Sequence, residues 1–141
     1  MAINETYAFL GKIRYTSRKI DERQLQLRFL ESKLLPSGIR YDTDRVQTSP
    51  SDRMPEIMGE IEKVQQEIDQ LKGRLISEIT EVGAVIDNLS NDNEKTVLKM
   101  YFLSLADVSE IARTMHYTED GIYTIRRRGI KNIGRIVNYK R

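Results

Sequence analysis

The chain has 141 residues and a mass of 16.4 kDa, enough for one or two small domains, and its 39% hydrophobic and 31% charged content fits a folded helical protein. With no cysteine there is no disulfide framework or thiolate zinc site, and the single histidine, His116, has no second imidazole to support metal binding or catalysis. No apolar run is long enough for a membrane span, and MAINETYAFLGKIR lacks the basic start, apolar block and cleavage site of a signal peptide, so a cytoplasmic location without membrane contact is expected.

Strand-like alternation is almost absent, and the elements read as helices from the start. Residues 3–35 carry Tyr7, Leu10, Ile13, Ile20, Leu27, Leu30 and Leu34 on one stripe, with Ile13, Ile20, Leu27 and Leu34 a heptad apart. Pro36 to Pro55 holds three prolines among Ser, Thr and Asp, and is expected to be a linker without regular structure. A loop of that length is unusual enough to suit either a plain connection or a partner-binding segment. Ser51 and Asp52, ahead of Pro55 and Glu56, also make a sensible helix start.

From Ile57 to Leu89 the apolar residues Ile57, Ile61, Val64, Ile68, Leu71, Leu75, Ile79, Val82, Ile86 and Leu89 alternate at spacings of four and three, with one irregular step after Leu75. This is a coiled-coil seam. A helix of this length reaches roughly 50 Å and is too narrowly apolar to stand alone. An antiparallel hairpin with residues 3–35, a homodimeric bundle, or both would satisfy it. Residues 1–89 are therefore expected to form an arm and residues 90–141 a separate domain.

In that second part, Ser90 or Asp92 can cap a helix running to about Leu103, buried through Val97, Leu98, Tyr101 and Phe102. Asp107 and Glu110 form a capping box for the next helix, whose inner residues are Val108, Ile111, Ala112 and Met115. Ala112 sits where a following helix would cross. His116 occupies a turn position that often holds glycine because its backbone is left-handed, a geometry histidine tolerates better than most residues. Thr118 can cap a last helix extending toward Val137, with Ile122, Ile125, Ile130, Ile133 and Ile136 inward. Gly121, Gly129 and Gly134 are expected to weaken that helix, each by about 1 kcal/mol. These spacings form a helix-turn-helix pattern, and Glu119, Asp120, Tyr123, Thr124 and Arg126 to Arg128 form its outward set, the candidate reading head.

The net charge of +2 hides a division along the chain. Residues 56–95 hold ten acidic and four basic side chains, whereas residues 113–141 hold eight basic and two acidic ones. The positive charge thus lies on the helix-turn-helix and its extension, as a phosphate-binding face requires, with Arg126, Arg127, Arg128 and Lys131 as the candidate phosphate contacts.

Three segments, RVQTSPSDRM at 45–54, VLKMYFL at 97–103 and EIARTMHYTEDGIYTI at 110–125, together with the heptad helix, resemble small proteins of phages and integrative elements of Gram-positive bacteria. Those proteins carry a C-terminus like region 4 of RNA-polymerase sigma factors. The resemblance implies an all-α fold, a helical hairpin arm followed by a sigma region-4-like helix-turn-helix, in a bacterial host cell. It implies base-edge contacts from Glu119, Asp120, Tyr123 and Thr124, and backbone contacts from Arg127, Arg128 and Lys131. It also implies a contact with RNA polymerase. The sequence departs from that pattern in having Glu119 just after the cap, where a basic residue is common, and no segment for a separate minus-10-reading domain is visible. A phage late-transcription regulator is the nearer analogy.

The leading expectation is a sequence-specific regulator that binds double-stranded DNA, dimerised through its arm, with no cofactor and no metal. The alternative is an interaction protein that docks on RNA polymerase or a phage protein through the arm, without reading DNA. Enzymatic activity is not expected: there is no Gly-rich phosphate loop, and the carboxylates lie mostly on a solvated helical face.

Overall fold

The computed structural model describes residues 1–35 and 50–139. The described residues are all-α, with helices α1 (Ile3–Leu10), α2 (Lys12–Ser32), α3 (Pro50–Ile86), α4 (Asp92–Leu98), α5 (Val108–Met115) and α6 (Glu119–Tyr139). A π-helical segment, Lys99–Leu103, follows α4 directly. Contacts divide the chain into two compact units, Arg18–Arg74 and the combination of Met1–Ser17 with Leu75–Arg141. The boundary expected after Leu89 does not coincide with this division, because the chain start and the end of α3 share a core with α6.

In the Arg18–Arg74 unit, α2 and α3 pack as the two sides of a hairpin. Leu30, Ile61, Val64 and Ile68 are buried together, with Leu27, Leu34 and Ile57 packed against them. Arg23 and Glu67 pair across the two helices at 3.6 Å. The helix α3 begins at Pro50, beside the Ser51–Asp52 start that the sequence also offers, so residues 50–55 of the expected linker are helical. Pro50 stands at the first helical position, where its missing N–H leaves no bond unmade, whereas Pro55 lies inside the helix and removes one backbone bond there. The rest of that linker, residues 36–49, lies outside the described residues.

In the other unit, Lys12 pairs with Glu81 at 2.8 Å and Thr16 donates to Glu78 at 2.6 Å. The seam here differs from expectation: Ile79 is 39% exposed and Glu78 only 8%. Leu71, Leu75, Glu78 and Val82 keep the four-three-four spacing, so a polar residue takes the seam position after Leu75, and the irregular step falls instead between Val82 and Ile86, both fully buried. The chain start is also rephased, since Thr6 is fully buried and Tyr7 is 41% exposed. A break at Gly11 separates α1 from α2, where one continuous helix was expected.

The main core of this unit joins Leu10, Ile13, Val82, Ile86, Leu89, Leu98, Phe102, Ile130 and Ile133. A second cluster, Val97, Val108, Ile111, Ala112 and Ile122, holds α4, α5 and the start of α6. Gly129 has a packing reason to be there: a Cβ at that position would lie 3.0 Å from Leu98 Cδ1, and Leu98 is fully buried. The π-helical segment has no proline or glycine to announce it, and it replaces the last turn of the helix expected to reach Leu103. Its wider turn closes with Ser104 N–H on Lys99 O at 3.0 Å and leads into Leu105 at a left-handed φ of 59°. Lys99 also donates to Asp87 at 2.6 Å, and this hydrogen bond holds the Asp87 carboxyl below its ordinary range.

Candidate nucleic-acid interface

Local chemistry sets the helix ends around the turn. Asn91, rather than Ser90 or Asp92, caps α4 by accepting from Glu94 N–H at 2.9 Å. Asp107 caps α5 by accepting from Glu110 N–H at 2.8 Å. The α5 helix stops at His116, whose φ of 62° and ψ of 42° are left-handed, and Tyr117 N–H closes the turn on Ala112 O at 3.0 Å. Thr118 Oγ1 then accepts from Gly121 N–H at 3.0 Å and starts α6. Val108, Ile111, Ala112 and Ile122 are buried where α5 meets α6, with Met115 and Ile125 packed against them. The two helices and the left-handed turn are thus built from the residues the pattern requires.

Helix periodicity then decides what α6 presents. With Ile122, Ile130 and Ile133 fully buried, the opposite side carries Asp120, Thr124, Arg127, Lys131 and Arg135 at spacings of three and four, with Arg128 beside them. Asp120, Arg127, Arg128, Lys131 and Arg135 are exposed, and Thr124 is half-buried. Thr124 Oγ1 donates to Asp120 O at 3.0 Å, which leaves its methyl as the group available for an apolar contact. It also lines a cleft of about 340 Å³ together with Asn93, Tyr117 and Arg128. Asn93 donates to the Tyr117 hydroxyl at 3.1 Å on that cleft's wall.

Not all candidates lie on this ridge. Glu119 is exposed at the first turn of α6, where its charge also suits the helix dipole. Tyr123 is 41% exposed on the flank next to Arg126. Arg126 is half-buried, its guanidinium 4.6 Å from the Tyr101 ring centre and 5.0 Å from that of Tyr123, which sets it apart from the solvent-facing arginines. Arg127, Arg128 and Lys131 have no carboxylate partner among the described residues. Arg135 was not singled out from the sequence, although its position four residues after Lys131 places it on the same ridge. Its guanidinium donates a long bond, 3.4 Å, to Asn132 Oδ1.

Elsewhere among the described residues, no group of three or more His, Asp or Glu side chains is placed to hold a metal ion, and no helix is long and apolar enough to cross a membrane. The seam candidates Ile61, Val64 and Ile68 are buried within the hairpin, Ile57 packs against them, and Leu71 and Leu75 are half-buried.

Fold and site together define an all-α protein in which a helical hairpin is combined with a helix-turn-helix whose last helix carries a basic ridge. The chain belongs to a family described as proteins of unknown function, DUF1492, whose profile matches residues 34–134. No curated protein and no solved structure matches it.

Proposed function

We propose that the protein is a sequence-specific DNA-binding transcription regulator of phage or mobile-element type that reads the major groove with α6. The observation that carries this reading is the α6 ridge: four exposed cations, Arg127, Arg128, Lys131 and Arg135, follow Asp120 and Thr124 along one face of a helix fixed by its buried side. Cations of this kind bind backbone phosphates, while short polar side chains near the helix start reach base edges. Glu119 or Asp120 would accept from cytosine N4, and the Thr124 methyl would meet a thymine methyl. Selection from random duplex DNA, followed by salt titration of the winner against a scrambled sequence, tests this. Enrichment of a defined motif is expected. Salt-sensitive binding without enrichment, or cross-linking to RNA polymerase without any DNA affinity, would replace the reading with the interaction-protein alternative.

Within this reading, Thr124→Ala alters base preference and leaves nonspecific affinity alone. The expected loss of discrimination is roughly 1–3 kcal/mol at one base pair, read from a repeated selection. An unchanged motif would remove Thr124 from the base contacts.

The protein would act as a homodimer on a repeated half-site. The hairpin accounts for the coiled-coil seam within one chain, so a second copy needs another face. On α2, Leu25 and Phe29 are 62% and 60% exposed one turn apart, with Asp21 and Glu22 on one side and Lys33 on the other. Antiparallel pairing of two α2 helices about a point between Leu25 and Phe29 sets each leucine on the partner's Phe29 and brings Asp21 and Glu22 toward the partner's Lys33. Light scattering is expected to give twice the 16.4 kDa chain mass for the wild type and once that mass for Leu25→Glu/Phe29→Glu. A wild-type monomer at micromolar concentration would remove the dimer and leave the DNA reading intact.

A further inference from the structure

Arg14, Tyr101, Arg126 and Tyr123 form a continuous stack within the unit that holds the reading helix. The Arg14 guanidinium lies 4.6 Å from the Tyr101 ring centre, and its Nη2 donates to the Tyr101 carbonyl at 3.0 Å. Arg126 lies 4.6 Å from the same ring and 5.0 Å from the Tyr123 ring. Tyr101 is further fixed by Phe102, edge-on at 4.8 Å between ring centres and 83° between planes. The Arg126 Nε is buried and has no hydrogen-bond acceptor. A guanidinium held against two rings, with one donor shielded, is poorly placed to serve as a free phosphate clamp. Its cation lies over two aromatic rings that attract it.

We infer that Arg126 is a positioning residue rather than a phosphate contact: braced by Arg14 and Tyr101, it holds the Tyr123 ring in the orientation used to read DNA. This rests on the DNA-binding reading above and deepens it, because it makes Tyr123 a specificity-determining side chain whose geometry is set from outside the helix-turn-helix. Tyrosine suits that role, since it offers a large contact through few rotatable bonds and needs only its ring fixed. Tyr101 lies in the π-helical segment, and π-helical turns are often found where a side chain must be placed for function.

The test uses the full chain with two readouts. In DNA binding, Arg126→Lys keeps the charge and loses the planar stack. It is expected to lower the ratio of specific to scrambled affinity about tenfold, within the range of one good base contact, while the salt slope stays unchanged. Tyr101→Phe keeps the ring and is expected to behave as the wild type, and Tyr101→Leu as Arg126→Lys. Arg126→Gln removes the charge, and a salt slope lowered by about 0.9 in that variant, with discrimination retained, would make Arg126 a phosphate contact and overturn the inference. In nuclear magnetic resonance without DNA, contacts between the Arg126 side chain and the Tyr123 ring are expected in the wild type and in Tyr101→Phe, and lost in Tyr101→Leu. If the wild type selects no DNA sequence, the DNA-binding reading fails by itself. The resonance data then decide the stack, and a Tyr123 ring equally fixed in Tyr101→Leu overturns it.

Discussion

Replacing Arg127, Arg128 and Lys131 together by alanine should flatten the salt dependence of DNA binding by about 2.7 in log K against log salt, since each phosphate neutralised contributes about 0.9. All three side chains are exposed, lack carboxylate partners among the described residues, and sit on the face of α6 away from Ile122, Ile130 and Ile133. Their loss therefore removes charge without opening the core. If the variant and the wild type bind equally at 1 M salt, the same slope difference makes the variant about 500-fold weaker at 0.1 M. Specific and scrambled sequences should lose affinity alike, because phosphate contacts carry no base information. A slope that stays at the wild-type value would show that the ridge does not face the DNA backbone, and would sink the orientation proposed for α6.

The elements around the turn were legible because short-range chemistry determines them. An aspartate three residues before Glu110, a threonine three before Gly121 and a histidine in a left-handed turn each act on their neighbours, and the structure places all three as their types require. The hairpin was legible for the same reason, since a four-three spacing defines one face of a helix whatever lies opposite. Glu78 escaped because hydrophobic counting passes over a carboxylate, although Thr16 satisfies it and it keeps the four-three-four spacing from Leu71 to Val82. The π-helical segment escaped because its residues are ordinary helix formers, and the wider turn depends on packing around Tyr101 and Phe102. The stacked role of Arg126 required Tyr101 and Arg14 to be brought to it from 25 and 112 residues away, a juxtaposition no local pattern records.

The same long-range packing leads to the second large effect. A fragment of residues 90–141 contains the whole helix-turn-helix pattern, yet it should fail to melt cooperatively. It keeps the cluster of Val97, Val108, Ile111, Ala112 and Ile122 but loses Leu10, Ile13, Val82, Ile86 and Leu89, which pack with Leu98, Phe102, Ile130 and Ile133 in the main core. Five buried side chains at roughly 1.5–3 kcal/mol each come to about 8–15 kcal/mol, comparable to the entire stability of a small domain. Without them, Ile130 and Ile133 lose much of their cover, and the second half of α6, with Lys131 and Arg135, is left with Leu98 and Phe102 as its remaining core partners. Circular dichroism at 222 nm during heating is expected to give a broad, noncooperative loss of helix for the fragment and a sharp transition for the full chain. Ile133→Ala in the full chain, costing about 2–5 kcal/mol, should lower the midpoint while keeping the transition cooperative. A sharp melt of the isolated fragment near the full-chain temperature would mean that α4, α5 and α6 stand alone, and that the chain start and the end of α3 only cover a domain already stable without them.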